Sequence, residues 1–264
     1  MRSRGMLKNL SGFFGIPPAC SRRLFLMPEE FYMSFFEILK ALQSGVWYSV
    51  QIFFLTLILS LPLGLLICVC RMTKFKPVSW LFRLYISIMR GTPLMLQLFV
   101  VYFGPYYVSA SLAKLGWIKS PILLKNLGEN WLMVAVIIGF ALNYAAYFAE
   151  IFRSGIASMS QGQYEAAKVL GMSRTQTFFI VILPQVIRNV LPSLTNEIIT
   201  LVKDTSLAFA IGQVEMFTVA KRLASSEVSM VPYLCAALLY YVFNLVVAFI
   251  MERLEKQFSK YAIK

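Results

Sequence analysis

Five stretches of this chain, residues 46–69, 85–108, 131–152, 187–211 and 231–251, approach the run of apolar residues a helix needs to cross a bilayer. That run is roughly 20 residues, enough to span about 30 Å of hydrocarbon. In hydrocarbon each segment must satisfy its own backbone N–H and C=O groups, which restricts spanning structures to helices and closed barrels. The pattern therefore predicts an all-α membrane protein with five transmembrane helices. With 59% hydrophobic and 14% charged residues and a mean hydropathy of +0.70, the chain is too apolar for a soluble domain of 264 residues.

Orientation follows from the basic residues, which collect in loops that stay cytoplasmic. Residues 71–90, 153–188 and the tail from 253 together hold 13 Lys and Arg. The loops on the opposite side hold only Lys114, Lys119, Lys125, Lys221 and Arg222. The expected topology puts the N-terminus outside and the C-terminus in the cytoplasm. The same rule accounts for the net charge of +13 without a nucleic-acid partner.

Residues 1–30 hold Arg2, Arg4, Lys8, Arg22, Arg23 and the Pro17-Pro18 pair, with no apolar core long enough for a secretory signal. They read as a disordered extension, ahead of a transmembrane domain over 31–264. Phe31, Phe35, Ile38, Leu39 and Leu42 recur at helical spacing, which predicts an amphipathic helix on the membrane surface before the first span.

Several chemistries are excluded. The chain has no histidine, and Cys20, Cys68, Cys70 and Cys235 show no metal-ligand spacing, so no metal site or Cys/His nucleophile is expected. An intramembrane enzyme would need such a constellation. No GxxxxGK[ST] phosphate loop is present either, so the usual route to ATP binding is closed.

Against this apolar background the stretch Tyr164–Gln185, YEAAKVLGMSRTQTFFIVILPQ, stands out as polar and helix-prone, with Gly171 inside it. It predicts two short helices meeting at an elbow on the cytoplasmic side, the apolar run stopping at Leu183-Pro184. Charges at membrane depth cost about 2.5–3.5 kcal/mol each and face a protein interior or water. Glu150, Glu197, Lys203 and Asp204 qualify. In the fourth span Glu197, Leu201 and Asp204 share a helix face, beside a stripe of Asn196, Thr200 and Lys203. In the third, Asn143, Tyr147 and Glu150 line up likewise. Two readings stand: walls of a pathway for a zwitterion, or groups that satisfy one another between helices. Glu150, Lys203 and Asp204, nearer the span ends, lean toward pairing or gating. Arg90 reads as an interface anchor and Pro93 as the start or kink of the second span.

The segments Arg90-Gly91-Thr92-Pro93, Tyr144-Ala145-Ala146-Tyr147-Phe148-Ala149-Glu150 and Lys203-Asp204-Thr205-Ser206-Leu207, taken with the Glu165-Ala166-Ala167 elbow, closely resemble permeases of the polar amino acid uptake family of ABC importers. The resemblance covers roughly residues 45–255. It implies a MetI-like permease of a bacterial plasma (inner) membrane, with an EAA loop at about 160–184 in which Glu165, Ala166, Ala167 and Gly171 dock on a cytoplasmic ABC ATPase dimer. It also implies pairing with a second copy or a similar permease, supply by an extracytoplasmic amino acid binding protein, and ATP-Mg held by the ATPase, with no cofactor in this chain. A self-contained secondary transporter or channel for small polar solutes is the alternative, and it would not need the elbow.

Overall fold

The computed structural model describes residues 33–128 and 130–259, so the extension 1–30 lies outside the described residues. Helix α1 (Phe35–Met72) opens on a capping box. The Ser34 hydroxyl accepts from the Glu37 N–H at 3.4 Å, and the Glu37 carboxylate accepts from the Ser34 N–H at 2.7 Å. From there it runs unbroken for 38 residues. At 1.5 Å per residue that is about 57 Å, nearly twice the hydrocarbon thickness.

The expected surface helix is thus corrected: the described part of it is the first two turns of α1. Its apolar stripe, Ile38 and Leu42, packs on Met216, Ala220, Cys235 and Ala236 rather than on lipid. Gly45 does not break the helix. A Cβ there would stand 2.7 Å from the Met216 Cα, so the glycine serves a close backbone approach.

The expected second span is also divided. Helix α2 (Lys76–Gly91) ends at an extended Thr92, and α3 (Leu94–Lys114) begins after Pro93. Proline has no N–H to continue the ladder and forces the residue before it out of the helical region, so the break follows from the sequence at this point. The 16 residues of α2 reach only about 24 Å, and the crossing falls to α3.

Helix α4 (Trp131–Ala157) is the central post, packed against α1, α2, α3 and the fourth span. Small residues permit this. Thr56, Ser60 and Gly64 recur every four residues on α1, and all three are buried. They face the apolar and small side chains of α4; a Cβ at Gly64 would lie 2.8 Å from the Phe148 Cβ and 3.1 Å from the Ala145 carbonyl oxygen. Gly64→Val is expected to cost about 1–3 kcal/mol of overpacking and to lower the thermal midpoint of the purified chain. Gly91→Ala, where a Cβ would meet nothing within 4 Å, should leave it unchanged. Equal midpoints would remove the close-packing account.

After α4 comes the short α5 (Gln161–Val169), then α6, a helical run over Arg174–Ile211. The predicted stop at Leu183-Pro184 is not one. Over Thr177–Ile182 the helix widens to π geometry, with the Leu183 N–H donating to the Phe178 carbonyl. The wider turn absorbs the donor that Pro184 lacks, and the helix continues. The second arm of the elbow is therefore the base of the fourth span, not a separate short helix. Past Asp204 the run tightens to 3₁₀ through Ile211 and ends at Gly212, at φ +87°.

Helix α7 (Met216–Ser226), unforeseen in the sequence, packs on the start of α1 and on α8 (Val231–Ser259). Helices α1, α3, α4, α6 and α8 are each long and apolar enough to cross a membrane, as expected. Large apolar side chains such as Phe54, Ile58 and Leu65 on α1, and Val246 and Phe249 on α8, remain exposed, as they do in a chain whose surroundings are hydrocarbon.

Candidate functional site

Three elements converge on a cleft of about 390 Å³. The α2–α3 break supplies Thr92, Pro93 and Leu94, α4 supplies Asn143, Tyr144 and Tyr147, and α6 supplies Glu197, Thr200 and Asp204. The break is braced by amides. Asn143 Nδ2 donates to the Met89 carbonyl at 3.1 Å and to Gln97 Oε1 at 2.9 Å. Gln97 Nε2 in turn donates to the Met89 carbonyl at 2.9 Å and to the Thr92 hydroxyl at 2.8 Å. Backbone carbonyls freed by Pro93 are thus satisfied by side chains from two helices.

On the opposite wall the Tyr144 hydroxyl donates to Asp204 Oδ2 at 2.7 Å. Glu197, two turns earlier on α6, makes no hydrogen bond or ion pair among the described residues. The Arg90 guanidinium lies 5.2 Å from the centre of the Tyr147 ring, a cation–π distance that brings a positive charge to the mouth of the cleft. The chemistry is that of a small amphoteric site, with carboxylates for a cation and hydroxyls and a guanidinium for an anion.

Of the six residues read from the sequence as a pathway, Asn143, Glu197 and Asp204 meet here. Glu150 does not. It is turned to the far side of α4, where it pairs with Arg71 of α1 and, at 2.6 Å, with Arg153. Lys203 lines a different hollow of about 500 Å³, with Ser206, Tyr233, Tyr240 and Asn244. Asn196 is exposed on α6. Tyr144, named above only as part of the motif 144–150, joins the site because its hydroxyl meets Asp204 on α6, a partner that spacing within one helix does not reveal.

The elbow stands at the end of the bundle where α1 and α4 terminate. Helix α5 closes in a Schellman arrangement: Gly171, at φ +74°, donates to the Lys168 carbonyl at 3.0 Å, and Met172 donates to the Ala167 carbonyl at 3.0 Å. Ser173 then caps the base of α6, its hydroxyl accepting from the Gln176 N–H at 3.3 Å. Ala167 is buried, with α5 packed against the π turn, while Glu165 and Ala166 face outward. Val169 and Leu170, 88% and 78% exposed, form an apolar tip on the elbow.

Residues 60–260 match the family model of binding-protein-dependent transport system inner membrane components. The chain belongs to that family. This multi-pass inner membrane component is 34% identical to the L-cystine transport system permease protein TcyB of Bacillus subtilis, over 88% of this chain and 91% of that one. It is 33% identical to the arginine transport system permease protein ArtQ of the same organism, over 81% and 90%. The component superposes on a chain of the crystal structure of an amino acid ABC transporter with histidines at a TM-score of 0.70 and 30% identity, covering 86% of this chain and 99% of that one. It also shares the fold of a chain in the inward-facing MetNI methionine ABC transporter, at a TM-score of 0.60 and 18% identity, covering 88% of this chain and 99% of that one.

Proposed function

We propose that this inner membrane component is the permease subunit of an ATP-driven importer of a polar amino acid. It pairs with a second copy or a similar subunit, receives its substrate from an extracytoplasmic binding protein, and is driven by a cytoplasmic ABC ATPase dimer that holds ATP-Mg. The chain itself hydrolyses nothing and needs no cofactor of its own.

One observation carries the reading: a single helical run, α6, bears both the elbow at its base and the unpartnered Glu197 carboxylate in its body. Those points are about 35 Å apart along the helix axis. The helical run is continuous over that length, so a push on the elbow is carried to one wall of the cleft and moves it against α4. The orientation expected from the basic loops, with the N-terminus outside, puts the elbow within reach of a cytoplasmic ATPase. In the cleft, Glu197 takes the substrate ammonium, Asp204 is held ready by Tyr144, and Thr92, Thr200 and Arg90 face the carboxylate. Asn143 serves as a brace for the break rather than as a direct ligand. Of the docking positions, Glu165 and Ala166 offer a contact face, Gly171 sets the bend, and Ala167 seats the elbow on the bundle. Relatives whose names specify cystine and arginine support an amino acid as cargo.

Uptake by vesicles holding the complete transporter tests this. Glu197→Gln is expected to lower uptake on the order of 10- to 100-fold, the worth of a charged hydrogen bond, at unchanged abundance in the membrane. Parallel loss of abundance and uptake would assign Glu197 to helix packing instead.

A further inference from the structure

The turn from α1 into α2 gathers positive charge beyond what the pathway uses. Arg71, Thr73, Ser79, Arg83 and Arg153 wall a hollow of about 280 Å³. Lys74, Lys76, Trp80 and Arg83 wall a second of about 360 Å³, and the two share Thr73, Ser79 and Arg83. Five cations therefore border one continuous depression. Among the described residues the carboxylate paired with any of them is Glu150, which bonds Arg71 and Arg153. Arg83, Lys74 and Lys76 have no ion pair among the described residues. The site is built rather than loose: the Ser79 hydroxyl donates to the Arg71 carbonyl at 2.7 Å, tying the first turn of α2 to the end of α1.

Around this depression the side chains change character. Phe75, Trp80, Leu81 and Leu84 are exposed on the turn and on α2, next to the cations and at the end of a membrane-crossing helix. A free anion would need the guanidiniums but not the apolar collar. An acidic protein surface would bring no hydrocarbon to cover it. A molecule with a phosphate at one end and acyl chains at the other matches both halves.

We propose that this depression binds the phosphodiester headgroup of an anionic membrane lipid, with its acyl chains lying along Trp80 and Leu84. Arg83, Lys74 and Lys76 supply the charge that Glu150 leaves uncompensated, and guanidinium geometry suits the phosphate oxygens. The proposal stands apart from the import reading, because it concerns lipid retained by the chain whether or not uptake occurs.

Native mass spectrometry of the full chain, released from micelles doped with phosphatidylglycerol or phosphatidylcholine, tests it. Phosphatidylglycerol should remain bound and phosphatidylcholine should not. The Lys76→Gln, Arg83→Gln double variant should weaken phosphatidylglycerol retention on the order of 30-fold, about fivefold per cation. Lys114→Gln with Lys119→Gln, at the other end of the bundle, should not change it. Should the double variant fail to fold, quenching of the native chain's tryptophan fluorescence by brominated phosphatidylglycerol supplies the same answer: it should exceed quenching by brominated phosphatidylcholine, and the excess should vanish in Trp80→Phe. Three results would overturn the proposal: equal retention of both lipids, displacement of phosphatidylglycerol by millimolar inorganic phosphate, which would make this a free-anion site, or a double variant that retains phosphatidylglycerol as the native chain does.

Discussion

Replacing Gly171 by proline should cut uptake by between about 5- and 150-fold, the span of ordinary coupling free energies, while the chain still reaches the membrane. Gly171 sits at φ +74°, and proline is confined near −65°. Its N–H, which closes α5 on the Lys168 carbonyl at 3.0 Å, would also be lost. The Schellman closure must then open, and α5 can no longer present Glu165, Ala166 and the Val169-Leu170 tip at their present angle to α6. No core contact is touched, since a Cβ at Gly171 would meet nothing within 4 Å. The expected signature is therefore ATP hydrolysis that persists in reconstituted vesicles but no longer drives import. Gly162→Ala, on the same short helix and equally open, serves as the control and should transport normally. A Gly171→Pro transporter that imports at the native rate would end the docking role of the elbow.

The second large effect is expected far from the elbow, at Glu215. This side chain is fully buried at the start of α7. Its carboxylate accepts from the N–H groups of Phe217 and Thr218 at 2.7 and 2.6 Å, from the Thr218 hydroxyl at 2.8 Å and from the Tyr240 hydroxyl at 2.9 Å. It thus caps α7 and ties it to α8, while the Met216 N–H donates to Ser49 on α1 at 3.2 Å. Glu215→Ala removes a helix cap and orphans buried donors, and about 2–5 kcal/mol of stability should go with it. Heat-induced loss of the monodisperse chain measures that.

A pH effect accompanies it. Burial pushes the Glu215 carboxyl above its usual range, and the donors from Phe217, Thr218 and Tyr240 pull it partly back. With the folded pKa above the unfolded one, the favourable contribution is complete below the unfolded pKa and is lost as pH rises through the folded value. The native midpoint should therefore fall with rising pH relative to Glu215→Gln. Parallel profiles would show that the group does not titrate across the range.

The same contrast between local and distant partners decides what could be read from residues in order. The break at Pro93, the bend at Gly171 and the five apolar runs were legible because each depends on a residue's own backbone restrictions or on a contiguous window. Spacing alone does not place Glu150, Asn196 or Lys203 in the pathway, because it gives a residue's face on its own helix but not which neighbour that face meets. Glu150 faces the guanidiniums of Arg71 and Arg153, the pairing that its place near a span end favours, and Lys203 faces a separate hollow beside α8. Leu183-Pro184 misled for another reason: proline ends a helix only when no neighbouring turn can absorb the missing donor, and here a π turn does.

By itself, then, the order of residues determined an all-helical membrane chain of five spans with a polar elbow, since hydrocarbon allows an apolar run few backbone solutions. Tertiary structure alone decided that the elbow and the Glu197–Asp204 cleft share one helix, that Tyr144 meets Asp204, and that Glu215 locks α7 between α1 and α8. Those facts depend on which helices lie side by side, and small residues such as Gly45 and Gly64 fix that through backbone contacts between positions far apart in the chain.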